Sequence, residues 1–288
     1  MFSTRRASLT AGLVVLGLFF ALAGVSARQD RGSAVTLAYQ FPEGKTLSYR
    51  TVSNEKQFMQ VGGQDVNTNT ESSLEFTAKP KSSKDGVHGI TVTLDAMKIR
   101  VLGPQGDQSP LLDHVPGKSF DMSLTRLGKE TDTSGAAAIT YVLGTSSRDI
   151  SNRFQTFFSD LPDRPVKQGD TWPSQDSVTE KTGGGDILIS LDHVNTLDGF
   201  ETIDGVECAR IKTESKGTLK GNLEQGGASL TLDGTMTATA TWYFAIKQGF
   251  LVKSDTKAAL TGSLVVAQAN MTIPVTSEST EEVRLVRK

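Results

Sequence analysis

The segment Ser229–Lys247 constrains this chain more than any other. Leu230, Leu232, Met236, Ala238, Ala240, Trp242, Phe244 and Ile246 hold even positions, and Thr231, Asp233, Thr235, Thr237, Thr239, Thr241 and Tyr243 hold odd ones. Successive side chains of a strand point to opposite faces, so this alternation predicts a strand with one apolar and one Thr-rich face. Threonine suits the wet face because its branched Cβ fits the pleat without adding an apolar patch. After the Gln248-Gly249 turn, Phe250, Val252, Ala258, Leu260, Leu264 and Val266 are expected to share the next apolar face. Met271, Ile273 and Val275 alternate in turn, Val283 and Leu285 resume after a polar stretch, and Val206–Leu223 precedes them all. Residues 206–287 therefore predict a four-strand antiparallel meander.

A strand of about 18 residues runs about 60 Å, against a usual length of about five or six residues. Strands that long bend. Gly234 and Gly262 lie mid-strand on the apolar face, where glycine permits a bulge or a sharp turn of the sheet. The first half is less regular but similar: Val35–Phe41, Thr46–Ser53, Gln57–Val61, Asn67–Ala78, Gly89–Leu102 and Phe120–Leu127 read as strands, and the Pro- and Gly-rich 103–117 reads as a loop.

Between the two strand sets the period changes. Ile150, Phe154, Phe157, Phe158 and Leu161 fall at helical spacing, which predicts an amphipathic helix over Ser146–Ser159. Ser146 and Asp149 imitate a capping box, and Pro162 supplies the stop. Ala136–Leu143 reads as a second, shorter helix or a strand. The expected class is α+β, mainly β: a strongly curved antiparallel half-barrel of long strands with one or two helices packed on its concave face. The expected organisation is one curved-sheet domain over 28–288, with two related halves (35–127 and 165–287) joined by a helical segment over 135–161.

Residues 1–27 read as an export signal. Arg5 and Arg6 precede an apolar run from Ala11 to Gly24, and Val25-Ser26-Ala27 forms an A-x-A-like cleavage site. The rest is expected to work outside the cytoplasm, periplasmic or extracellular, with no transmembrane segment.

Several chemistries find no support. The formal charge of −2 lacks the basic excess of a nucleic-acid binder. One cysteine excludes a disulfide framework, and Cys208 reads as a small buried hydrophobe. Three scattered histidines give no metal motif, and no cofactor is expected. In Asp113-His114 and Asp192-His193, adjacent strand residues face opposite ways, so neither pair is a dyad by itself. Gly44-Lys45-Thr46 lacks the earlier glycine of a phosphate loop, whose place Tyr39 takes, and no G-x-S-x-G is present.

The stretch Leu161-Pro162-Asp163-Arg164-Pro165-Val166-Lys167-Gln168-Gly169-Asp170-Thr171-Trp172 resembles the hallmark of an uncharacterised exported bacterial family, written LP-x-x-P-V-x-x-G-D-x-W. Trp242-Tyr243-Phe244 with Gly249-Phe250-Leu251-Val252 resembles a later hairpin of that family, and Gly44-Lys45 with Tyr49 its opening. The resemblance implies export and no known activity. The architecture read above is also similar to the lipoprotein-carrier fold of LolA and LppX, which implies an apolar concave face that shelters acyl chains.

The expected function is non-enzymatic binding of a hydrophobic ligand, a lipid or a lipidated protein, in the concave face. Leu230, Leu232, Met236, Trp242, Phe244, Leu260 and Leu264 are the candidate ligand-facing residues, with Phe154 and Phe158 as a lid. The rival is a protein-interaction or envelope-structural module with a filled core.

Overall fold

Period-two alternation runs through most of the chain, and in the computed structural model it builds one very large sheet. The structure describes residues 33–41, 44–143, 146–182, 184–225 and 227–286; the export-signal reading of residues 1–27 lies outside them. The first half contributes β1 (Leu47–Val61), β2 (Gln64–Lys84), β3 (Val87–Gly103), the two-residue β4 (Gly106–Asp107), β5 (Ser119–Thr125) and β6 (Glu130–Asp132). A separate hairpin follows, β7 (Thr140–Leu143) with β8 (Ser146–Asp149). The second half contributes β9 (Thr171–Thr182), β10 (Gly185–Ile203), β11 (Val206–Gln225), β12 (Ala228–Ala245), β13 (Phe250–Val266) and β14 (Met271–Leu285).

The strands lie in the order β6-β5-β3-β2-β1-β14-β13-β12-β11-β10-β9, with β4 paired to β3. They form a strongly curled antiparallel half-barrel. The two strand sets share this sheet because β1 pairs with β14 over eleven residue pairs, Tyr49↔Leu285 to Met59↔Val275. The edge strand β9 carries Pro173, where a residue without an N–H costs no ladder bond.

Register decides which side chains share the inner face. Trp242 lies opposite Ile211, which lies opposite Leu197; Ala238 lies opposite Ser215, which lies opposite His193. On the other flank, Leu232 faces Leu264 and Met236 faces Leu260. The Thr-rich odd positions of β12 take the outer face, as the alternation predicts. The β12–β13 ladder slips: its register shifts between Tyr243 and Phe244, so Phe244 pairs with Leu251 and Phe250 moves opposite Ala245. Phe250 therefore leaves the face of Ala258 and Leu260, contrary to the expected shared face. One extra residue inserted in a ladder reverses every side chain beyond it.

The predicted helices are absent among the described residues. Over 135–161 the chain forms a 3-10 turn (Ser134–Ala138), the β7–β8 hairpin, a second 3-10 turn (Ser151–Arg153) and bends. The physical reason lies in its polar residues. Ser151, Asn152, Thr156 and Ser159 are mediocre helix formers, and the Asp149 carboxylate takes the Ser151 N–H at 2.8 Å, offering the backbone a turn in place of a helix. Val35–Phe41 is not a strand either; it forms one isolated bridge, Val35↔Val166, outside the strands of the sheet, and otherwise runs as a strap. The strap is nonetheless anchored: Tyr39 N–H donates to Arg126 O at 2.8 Å and Gln40 N–H to Gly249 O at 2.7 Å.

These irregular segments plug one half of the inner face. Phe154 packs edge-on to Phe76 and Phe120, Phe157 to Tyr49 and Phe76, and Phe158 to Tyr39 and Phe41. The ring centroids stand 4.9–6.0 Å apart, the range in which edge-to-face pairs attract. The 161–172 motif is part of this packing. Val166 bridges to Val35, Gly169 sits at φ +92°, Asp170 accepts the Lys167 N–H, and buried Trp172 donates its indole N–H to Asp160 O at 3.0 Å. Its residues therefore build the turn that delivers the chain into β9.

Candidate functional site

The plug covers only part of the inner face, and this divides the nine residues proposed from sequence. Phe154 (0% exposed), Phe158 (4%), Trp242 (1%) and Phe244 (0%) belong to the filled core. Phe154 and Phe158 are thus not a helical lid: they sit in a non-helical segment as its innermost side chains. Leu232, Met236 and Leu260 lie beyond the plug and line a hollow of about 390 Å³ with Ile187, Ile189, Leu219 and Val275, beside polar residues that include Glu55, Gln57 and Ser277. Leu230 and Leu264 continue the same face toward the far turns, opposite Val266 and Leu232 respectively.

This hollow is built by curvature. Strands β1, β14, β13, β12, β11, β10 and β9 all contribute to its wall, which a flat sheet could not arrange. Between Leu232 and Met236 on this wall, Gly234 lies directly opposite Gly262, and no bulge intervenes. A Cβ on Gly262 would lie 2.5 Å from Asp233 O and 2.8 Å from Gly234 Cα. The closeness of the two backbones thus requires glycine there. At the rim, Arg148 from β8 forms an ion pair with Glu180 of β9, and both side chains line the hollow.

A second, smaller hollow of about 290 Å³ lies between the inner face and the Asn152–Asp160 segment of the plug. Its lining adds charged side chains of the plug to apolar ones of the sheet. It includes Arg153, Asp160, Asp176, His193, Ser215 and Glu281, with Leu191 and Ala238 on the side toward the apolar hollow. Burial and the neighbouring Asp176 push the Asp160 carboxyl up. Burial also raises Glu281, an effect that Arg153 partly offsets. Below the plug, burial pushes Glu130 up to about 8, although it accepts the Phe158 N–H at 3.0 Å.

Sequence reasoning did not single out Asp176, His193 or Ser215 as a group. His193 drew notice only beside Asp192, which the structure places on the outer face in contact with Gln175. The informative signal was the alternation of Ile187, Ile189, Leu191, His193, Asn195 and Leu197, which puts the histidine among inward-facing residues. The histidines do not cluster: His88 bonds Tyr39 O and His114 bonds Thr140 O. Among the described residues no group of three or more His, Cys, Asp or Glu is placed to hold a metal ion. Cys208 is buried, as its position on a strand suggested. No helix among the described residues is long and apolar enough to cross a membrane.

No family model and no curated protein matches the chain. Among solved structures, an outer-membrane channel from Pseudomonas putida F1 is 10% identical, covering 89% of this chain and 99% of that one at a TM-score of 0.30. A Bacteroides fragilis protein with a YmcC-like fold is 8% identical, covering 89% and 100% at 0.21. A DUF1329 family protein from Desulfovibrio piger is 10% identical, covering 82% and 85% at 0.14. Likenesses this distant do not bear on function.

Proposed function

We propose that this is an exported protein that shelters an acyl chain, of a lipid or of a lipidated protein, in the apolar hollow of its half-barrel. One observation carries the reading: the plug fills one half of the inner face and leaves Leu232, Met236 and Leu260 around a hollow of about 390 Å³. The wall is mixed, with Glu55, Gln57, Arg148, Glu180 and Ser277 beside the apolar side chains, and a concave site of this size suits a ligand with an apolar chain and a polar end. Burying an acyl chain there would contribute about 0.8 kcal/mol per CH₂. Binding alone fulfils this role. The filled half supports the rival reading of an interaction module as far as it extends; the lined hollow beyond it favours the carrier.

The test is mass spectrometry of organic extracts from protein purified without detergent, beside uptake of a fluorescent fatty-acyl probe. Near-stoichiometric lipid or saturable uptake is expected. Leu260 is half-buried, so Leu260→Glu is expected to keep the melting temperature within a few degrees while uptake falls at least tenfold. A lipid-free protein that takes up no probe would overturn the reading.

A further inference from the structure

We propose that Ser215, His193 and Asp176 form an ester-cleaving centre at the polar end of the acyl hollow. Three neighbouring strands bring them together. His193 on β10 lies opposite Ser215 on β11 and opposite Ser174 on β9, and Asp176 stands two residues along from Ser174 on the same face. Ser215 Oγ lies 2.7 Å from His193 Nδ1, and Asp176 Oδ2 lies 3.0 Å from His193 Nε2. An ionised Asp176 can only accept, so it holds the proton on Nε2. In the neutral ring Nδ1 is then bare and accepts the Ser215 O–H. A nucleophile hydrogen-bonded to a base that a third group orients is the arrangement acyl transfer requires.

Location suggests the substrate. All three line the polar hollow, and Leu191, which also lines it, is preceded along β10 by Ile189 of the acyl hollow. An acyl chain in the apolar hollow would present its carboxyl end here. Asp160, Glu281 and Arg153 line the same space, so the carboxyl end, as an ester, would meet polar groups there. In the reaction Ser215 Oγ bonds the carbonyl carbon as its proton passes to Nδ1, and the C=O electron pair moves onto oxygen. Collapse breaks the ester C–O bond, and the departing alcohol takes the proton from Nδ1. Water then attacks acyl-Ser215, gives its proton to Nδ1, and Ser215 Oγ leaves with it. The net change is ester plus water to acid plus alcohol. Arg153 lines the same hollow and would be the cation to stabilise the oxyanion.

The proposal rests on the carrier reading only for the length of the acyl group, so the test separates the two. The full chain is treated with a fluorophosphonate probe and assayed with p-nitrophenyl butyrate and palmitate. Labelling is expected at Ser215, confirmed by peptide mass. Ser215→Ala should abolish it, and His193→Gln should slow it about 100-fold, the low end of what a general base contributes. Asp176→Asn should slow labelling at neutral pH and move its pH profile, which a merely structural contact would leave in place. Leu260→Glu, which alters the acyl hollow itself, should cut palmitate turnover far more than butyrate turnover. Butyrate turnover without acyl uptake would keep the centre and remove the carrier reading. Acyl uptake by a folded protein that is not labelled at Ser215, or labelling unchanged in His193→Gln, would overturn the centre.

Discussion

Glu130 shows how a residue's setting controls the stability of the plug. Its backbone belongs to β6, while its carboxyl receives the Phe158 N–H and is pushed by burial from its ordinary 4.5 to about 8. The folded protein therefore holds a proton that the unfolded chain releases. Because the folded state binds more protons, stability falls as pH rises from about 4.5 to about 8, and the cost is complete above that range. Asp160 and Glu281 are shifted in the same direction and add to the slope. Glu130→Gln keeps an oxygen acceptor for Phe158 and has no charge to bury. Its melting temperature should exceed that of the unsubstituted protein at pH 8 and approach it at pH 5. Thermal melts across that range check this, and parallel profiles would show that the carboxyl is not buried as described.

At the scale of elements, the long strands were legible and the connecting segment was not. Strands β11 to β14 follow a period-two alternation broken only at the Tyr243/Phe244 slip, with Gly227 and Gly249 marking the first two turns and Asn270 the third, so the meander over 206–287 could be read from side-chain order. Strands β9 and β10 were harder, because their inner faces mix Ile187, Ile189 and Leu191 with Asp176, His193 and Asn195. The residues that dilute the hydrophobic pattern there are those that supply the polar hollow. The stripe from Ile150 to Leu161 misled for another reason. Apolar residues at helical spacing are also what a bent segment needs when its rings turn toward different partners, and periodicity cannot separate the two. The Gly234↔Gly262 pair gives the clearest element-level prediction. Gly262→Ala places a methyl 2.5 Å from Asp233 O, while Gly234→Ala meets Thr261 O at 3.2 Å, which a small shift relieves. The first substitution should cost about 1–3 kcal/mol and the second distinctly less, measured by urea unfolding. Equal costs would mean that β12 and β13 do not approach as closely at Gly262 as described.

Over the whole molecule, one sheet serves two purposes at its two ends. Near Tyr49, Ile211 and Trp242 the inner face is roofed by the plug and strap, and Tyr49 donates to Leu251 O at 3.0 Å inside the sealed core. Around Ile189, Met236 and Leu260 the same strands have a continuous backbone ladder but no packed roof. Backbone hydrogen bonds are thus equally satisfied throughout, and the ends differ in buried side-chain contact. Local opening is governed by that contact, so the ends should differ in hydrogen exchange. Amides near Ile211 and Trp242 should exchange only through global unfolding. Those near Ile189 and Leu232 should exchange at least tenfold faster through local opening. A bound acyl chain stabilises only states in which the hollow is formed, so it should slow the second set and, short of global unfolding, leave the first unchanged. Exchange measured on backbone amides with and without a fatty-acyl probe checks both parts. A single uniform rate would mean that the half-barrel opens as one unit. The uncovered half would then owe its stability to the plug through the shared strands, and an empty hollow would carry no penalty for a ligand to relieve.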